Sequence, residues 1–217
     1  ELLKEDEPNR PFIQLYNMNI RDIDLKGKEI AEIGCGRGGG ASWIAKTYNP
    51  KKLVAFDFSK DAVELASNWY SSQNNLFFKF GNAEDLPLED NSKDVIYNVE
   101  SSHCYGNVEA FVKEVYRSLR SGGNFCWTDF RDKESMGKLH DIFLDTGFEI
   151  VSKRDITKKV LDALDDINDS KVKGISENVP VGMKKSFETF AGVQGTPVYE
   201  AFKSGNLHYH RYLMVKL

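Results

Sequence analysis

Glu32-Ile33-Gly34-Cys35-Gly36-Arg37-Gly38-Gly39-Gly40 is the stretch on which the fold turns. It closes the apolar run Glu29–Ile33, which has the length of a buried strand. It opens onto Ala41, Ile44, Ala45 and Tyr48, which recur at helical spacing. Glycines between a strand and a helix let the backbone take positive φ and let a ligand come close. The unpaired amides at the start of the following helix favour an anion. Two templates share these letters. Gly34, Gly36 and Gly39 spell G-x-G-x-x-G, a dinucleotide fingerprint. Glu32, Gly34, Gly36 and Gly38 spell E-x-G-x-G-x-G. Either match alone is weak.

The strand–helix alternation continues downstream. Residues 53–58 read as a second strand. Ala62, Val63, Ala66, Trp69 and Tyr70 mark a second helix with Ser59 as its N-cap. Leu76–Phe80 is a third strand and residues 94–99 a fourth, separated by a turn-rich segment with Pro87 and Asp90-Asn91. Val108, Phe111, Val112, Val115 and Leu119 predict a helix ending at Gly122-Gly123. Residues 124–130 form a strand, 134–146 a helix stopped by Gly147, and 148–156 a strand. Such alternation implies right-handed βαβ units and a mostly parallel sheet, with ligands beyond the carboxyl ends of the strands.

The two ends depart from this pattern. After Pro11, the residues Phe12, Leu15, Tyr16, Ile20 and Ile23 suit a short helix, preceded by a loose segment over residues 1–10. Residues 157–208 are too many for a plain connection. They hold two helix-like patches, one at Val160, Leu161, Leu164 and Ile167, the other at Met183, Phe187 and Phe190. The expected organisation is an N-terminal helical segment or lid (1–25), a ligand-binding core (26–156), a helical cap (157–208) and a final strand (209–217).

Composition bounds the rest. The chain has 217 residues, 41% hydrophobic and 29% charged, which suits one soluble domain with a cap. Lys and Arg number 29 against 33 Asp and Glu, so no general basic excess points to nucleic acid. No apolar run approaches the ~18 residues of a membrane span. Cys35, Cys104 and Cys126 are odd in number and lack C-x-x-C spacing, which predicts no disulfide framework and a reducing, cytoplasmic setting. The first residue is Glu1 rather than Met, as in a chain trimmed of a leading segment.

Asp57 separates the two glycine-loop templates from chance. It ends the second predicted strand, 23 residues after Gly34. An ionised carboxylate there accepts hydrogen bonds from both ribose hydroxyls of a nucleoside. Gly81-Asn82-Ala83-Glu84-Asp85-Leu86-Pro87 follows the third strand, and Leu119-Arg120-Ser121-Gly122-Gly123 precedes the fifth. With these segments, residues 26–150 resemble a class I S-adenosylmethionine (SAM)-dependent methyltransferase. The resemblance implies a Rossmann-like α/β fold whose seven-stranded, mostly parallel sheet has an antiparallel last strand. It also implies SAM as cofactor and S-adenosylhomocysteine as its product.

The resemblance carries roles to particular residues. Gly34, Gly36 and Gly38 would wrap the methionine end of SAM, with Glu32 and Cys35 of the same loop. Asp57 would hold the ribose and Phe58 would pack on the adenine. Asn82 and Ala83 would meet the adenine edge, beside Glu84. Many relatives have Asp where Asn82 stands, and the amide can still accept from the adenine amino group. Asn98, followed by Val99 and Glu100, would line the methionine side.

A closer likeness concerns the acceptor. Asn98-Val99-Glu100-Ser101-Ser102-His103-Cys104-Tyr105-Gly106, Asp57-Phe58-Ser59 and Thr128-Asp129-Phe130-Arg131 are similar to the phthiotriol-dimycocerosate O-methyltransferase-like group. That likeness implies an apolar, hydroxylated small molecule or lipid as substrate. His103 is the candidate general base and Glu100 the candidate to orient it or bind substrate. The alternatives are that His103 packs and bonds Glu100 or a backbone carbonyl, and that Glu100 caps a helix. A nitrogen or carbon acceptor would fit the same pocket. Cys104 reads as packing, since methyl transfer needs no protein nucleophile. Arg131 could anchor an acidic substrate or pair with Asp129 or Asp132.

Other functions find less support. A nicotinamide-dependent reductase would need a catalytic Tyr/Lys set that is not evident. A non-catalytic SAM-binding module would show a broken glycine loop or lack Asp57. A base-modifying enzyme would show N-P-P-Y after strand four, where Asn98-Val99-Glu100-Ser101 stands. His208 and His210 share one face of the last strand, but no third ligand follows from the sequence, so no metal is expected. Phe187, Phe190, Tyr199, Phe202, Tyr209 and Tyr212 are expected to be mostly core, a few of them walling an apolar pocket.

Overall fold

The computed structural model describes residues 2–217. After a 3-10 turn at Glu7–Asn9 come α1 (Arg10–Ile20), β1 (Glu29–Ile33), α2 (Gly39–Tyr48), β2 (Lys52–Asp57) and α3 (Lys60–Trp69). There follow β3 (Leu76–Phe80), β4 (Lys93–Val99), α4 (Val108–Ser118), β5 (Leu119–Arg131), α5 (Lys133–Thr146) and β6 (Phe148–Asp155). The remaining elements are α6 (Thr157–Asp166), α7 (Asn168–Asn178), α8 (Lys184–Phe190), α9 (Pro197–Lys203) and β7 (His208–Lys216).

The seven strands lie in the order β3-β2-β1-β4-β5-β7-β6. The first five pair in parallel, and the last strand runs antiparallel. The central strands are apolar on both faces because helices cover both. Ile30, Ala31, Leu53, Ala55, Ile96 and Phe125 are fully buried. The chain passes from β1 to β2 and β3 on one side, then returns to set β4 on the other side of β1. This reversal opens a crevice between the loops that leave β1 and β4.

Local chemistry sets the element ends. Ser59 caps α3 by accepting from the Ala62 amide at 3.2 Å, and Asn107 caps α4 through the Ala110 amide at 3.0 Å. Pro11 falls in the first turn of α1, where a missing N–H costs nothing, so the helix starts at Arg10. The fourth helix is shorter than its apolar spacing predicts. It stops at Ser118, and Leu119 turns extended (φ −74°, ψ 142°) to open β5 ahead of Gly122 and Gly123. Leu119 supplies the helical period and yet belongs to the sheet.

The chain divides into two compact units, the second of which comprises Phe130–Met136 and Asp155–His210. Its bounds differ from the expected 157–208 because Phe130 packs its ring on Phe202 and Tyr209, with centroids 5.3 and 5.8 Å away. It holds four helices rather than two. α7 (Asn-Asp-Ser-Lys-Val-Lys-Gly-Ile-Ser-Glu-Asn) has two apolar residues, too few to leave a period. Tyr199, Phe202 and Tyr209 are core, as is Tyr212 in the first unit. Phe187 and Phe190 are not. They are 43% and 88% exposed, since seven-residue α8 is too short to bury both.

Candidate active site

Strand register gathers the site. Ile33 of β1 stands level with Phe56 of β2, Asp57 of β2 with Phe80 of β3, and Val99 of β4 with Thr128 of β5. The loops after β1, β2, β3 and β4 therefore leave the sheet along one edge.

Close approach explains the glycines after β1. Gly34, Gly36 and Gly38 have φ of +77°, +52° and +78°. A Cβ on Gly34 would lie 2.2 Å from Ser101 Oγ, and one on Gly38 would lie 2.4 Å from the Phe78 ring. At Gly40 a Cβ would meet the Tyr16 ring at 2.0 Å. Gly36 differs, because no atom lies within 4 Å of where its Cβ would be. Its backbone faces open space. Asp57 holds the loop. One carboxylate oxygen accepts from the Gly36 amide at 2.7 Å, the other from the Ser59 amide at 2.9 Å. Cys35 is buried, and burial together with Glu32 and Asp57 pushes its thiol up, so it stays protonated.

Two recesses meet at Gly34. The smaller, about 450 Å³, is lined by Asp57, Phe58, Asn82, Ala83, Glu84 and Tyr105 among others. The larger, about 840 Å³, is bordered by Tyr16, Cys35, Gly36, Gly38, Val99 and Glu100. The Phe58 ring is exposed at the mouth and leans on Phe80, centroids 5.5 Å apart. Asn82 Oδ1 accepts from the Glu84 amide at 3.1 Å, and Glu84 Oε1 accepts from the Asn107 amide at 2.9 Å. These bonds hold the loop after β3 against the start of α4.

Two expected contacts lie beneath the cleft rather than on its wall. Glu32 is fully buried. One of its oxygens accepts from Tyr16 at 3.0 Å and the other from Tyr97 at 2.9 Å. Burial raises its carboxyl to about 7 despite both bonds. Asn98 is likewise fully buried. Its amide donates to Ile33 O at 2.9 Å and to Ser101 Oγ at 2.7 Å, with Tyr105 OH at 3.1 Å. Both side chains tie β4 to the glycine loop. Which way a strand residue points could not be read from its place in the motif.

The turn after β4 carries a second cluster. Glu100 takes left-handed backbone (φ +51°), and its amide donates to Thr128 O at 2.9 Å. A 3-10 turn over Ser102–Cys104 follows. A partner of His103 that the sequence did not announce is Asp129, at the end of β5. His103 Nδ1 lies 2.8 Å from Asp129 Oδ1, and the His103 amide donates to Oδ2 at 2.9 Å. Ser102 Oγ donates to the same Oδ2 at 2.7 Å and accepts from Trp127 Nε1 at 2.8 Å. Asp129 is fully buried, whereas the His103 side chain is a quarter exposed. An ionised carboxylate only accepts, so Asp129 favours a proton on His103 Nδ1. His103 itself lines neither recess, but Ser101, Cys104 and Tyr105 around it line the smaller one. Asp129 was missed as a site residue. Its position at the carboxyl end of a central strand was the available signal.

Comparison with known proteins bears on the family and the fold. A family profile described as "Methyltransferase domain" matches residues 31–127. A phthiotriol/phenolphthiotriol dimycocerosates methyltransferase of Mycobacterium tuberculosis is 34% identical over 211 residues, covering 97% of this chain and 78% of that protein. A fatty-acid O-methyltransferase of Mycolicibacterium smegmatis is 31% identical, covering 99% and 77%. Among solved structures, a Haemonchus contortus phosphoethanolamine N-methyltransferase 2 bound to S-adenosylmethionine superimposes with a TM-score of 0.77 at 16% identity, covering 96% of this chain and 52% of that one. A geranyl diphosphate C-methyltransferase of Streptomyces coelicolor gives 0.70 at 14% identity, covering 93% and 77%.

Proposed function

We propose that this chain, which belongs to the class I SAM-dependent methyltransferases, methylates an oxygen of an apolar, lipid-like small molecule, with a hydroxyl as the leading acceptor. The cleft suits the cofactor. Gly36 faces open space that any side chain would fill, and Asp57 lines the smaller recess. In this reading Asp57, Phe58, Asn82 and Ala83 hold the nucleoside, beside Glu84. Gly34, Cys35, Gly36, Gly38, Val99 and Glu100 border the methionine end, with Glu32 and Asn98 acting from beneath. Bound SAM supplies a methyl group already activated on a sulfonium. The protein's task is then alignment and removal of the acceptor's proton. Alignment of reacting groups is worth roughly 7–11 kcal/mol of a barrier.

The observation that carries the oxygen reading is the pair of His103 and buried Asp129 on the turn after β4. A hydroxyl must lose its proton on attack. His103 Nε2 is the atom that takes it, while Asp129 fixes the ring and stabilises the imidazolium that results. An amine or an electron-rich ring carbon needs less of such a base. The name of the Mycolicibacterium smegmatis relative, a fatty-acid O-methyltransferase, supports an oxygen acceptor on a lipid.

Calorimetric titration with SAM and S-adenosylhomocysteine, with Asp57→Ala alongside, tests the cofactor assignment. The substitution should weaken binding about tenfold or more, the loss of two hydrogen bonds to a charged group. Screening of long-chain alcohols, phenols and fatty acids against amines and indoles then tests the acceptor. With a hydroxyl substrate, His103→Ala should lower kcat about 100-fold or more. Asp129→Asn should lower kcat as well while leaving KM nearly unchanged. Methylation confined to amines or ring carbons, and indifferent to His103→Ala, would overturn the oxygen reading.

A further inference from the structure

His208 and His210 project from one face of β7, two residues apart, on either side of buried Tyr209. The sequence offers no third ligand nearby. The second unit supplies one in Asp155, which ends β6 and is 53 residues from His208. One ligand atom from each of the three lies within 4.8 Å of the other two.

The distances within this group are unusual for hydrogen bonds. Asp155 Oδ2 is 3.4 Å from His208 Nδ1 and 3.6 Å from His210 Nε2. A charge-assisted N–H···O bond is about 2.7–2.9 Å long. Two ligand atoms on one tetrahedral Zn²⁺, each about 2.0–2.1 Å from the metal, stand roughly 3.3–3.4 Å apart. The carboxylate oxygen is thus spaced from His208 as a shared ion would have it, and about 0.2 Å farther from His210.

The group is also held in place. Asp155 Oδ1 accepts from the Thr157 amide at 2.8 Å, which turns Oδ2 toward the imidazoles. Thr157 Oγ1 accepts from the Tyr209 amide at 2.8 Å, and the Ile156 amide donates to Tyr209 O at 2.8 Å. The segment bearing Asp155 is therefore clasped to the strand bearing both histidines. Asp155 is half exposed and His208 about a third, so an ion can enter from solvent and water can complete its shell.

We propose that Asp155, His208 and His210 form a divalent-metal site that takes Zn²⁺ in preference to Mg²⁺ or Ca²⁺, with three protein ligands and one water. Neutral imidazole and carboxylate suit a borderline ion and disfavour Mg²⁺ or Ca²⁺, which prefer all-oxygen shells. The ion would bind the end of β6 to the start of β7 and stiffen the second unit from within. This assignment is independent of the methyl-transfer chemistry and adds no step to it.

Chelator-treated protein titrated with Co²⁺, a coloured stand-in for Zn²⁺, tests it. The expected result is the visible absorption of tetrahedral Co²⁺, saturating at one equivalent and erased by Zn²⁺ but not by excess Mg²⁺. His210→Ala and His208→Gln, checked for folding by circular dichroism and SAM titration, should each weaken binding by about tenfold or more. Saturation absent in the folded protein, or undiminished in both variants, would overturn the proposal. The second result would locate the ion elsewhere.

Discussion

A single methyl group at Gly34 would stand 2.2 Å from Ser101 Oγ, 2.5 Å from Ser101 Cβ and 2.8 Å from Tyr105 OH, on backbone with φ of +77°. Steric overlap and backbone strain act together here, each on the order of 1–3 kcal/mol. Gly34→Ala should lower Tm by about 5–10 °C in a scanning calorimeter. Adding Ser101→Gly removes the two nearest obstacles and should restore part of the loss. If the two changes simply add, the contact is not what constrains this position. Residues of this kind were legible in the sequence, because an invitation to positive φ between a strand and a helix has few other readings. Asp129 was not. Its role depends on a 3-10 turn that swings His103 onto the end of β5, and no spacing rule reports a partner 26 residues away. Glu32 and Asn98 show the complementary difficulty. Both stand at the right places in a motif, yet their side chains turn inward, Glu32 to Tyr16 and Tyr97 and Asn98 to Ile33, Ser101 and Tyr105.

Among the elements, α1 has the most to tell. Its Tyr16 donates to Glu32 and rests on Gly40. Tyr48 donates to its Asn17 at 2.5 Å. Its Asn19, fully buried, donates to the carbonyls of Asn98 and Cys126 at 3.4 and 3.3 Å and accepts from Thr128 Oγ1 at 2.8 Å. Removing that side chain leaves the Thr128 hydroxyl and two carbonyls short of a partner. Asn19→Ala should cost about 2–3 kcal/mol in urea unfolding and speed hydrogen exchange along α1 relative to the central strands. An unchanged midpoint would mean that water replaces the amide without penalty. The apolar spacing of α1 announced a helix but not these polar ties. The same limit hid α7, whose two apolar residues leave no face to recognise. Regular elements with a buried stripe are readable; those held by polar contacts or by short stretches of neighbouring chain are not.

For the whole molecule, the buried carboxyl of Glu32 links stability to pH. Its ordinary value is 4.5, and in the fold it rises to about 7 because burial disfavours the charge. Between these two values the folded protein holds a proton that the unfolded chain has lost. The contribution is therefore present at low pH and is lost as pH rises through this window. Its size is on the order of 3 kcal/mol. Glu32→Gln, which keeps the shape and cannot ionise, should flatten this part of the stability curve measured by denaturant titration at pH 5 and pH 8. Parallel slopes in the two proteins would contradict the assignment. The gross architecture was nearly all available beforehand, since alternation of strand and helix fixes a parallel sheet. The organisation of residues 157–208 was not, because Gly and Pro interrupt it and its core borrows Phe130 from the end of β5.

The docking of α1 also sets a timetable. Asn19 reaches partners 79, 107 and 109 positions further along, and its carbonyl accepts from Arg211 at 3.1 Å, 192 positions away. A ribosome extends a chain at about 5–20 residues per second. That helix would therefore wait roughly 10–40 s for Arg211 to be synthesised. The packing of Tyr16 against the glycine loop would be fixed only once Arg211 has been made. A nascent chain stalled before Arg211 should thus protect β1 to β4 from protease while leaving α1 open to cleavage.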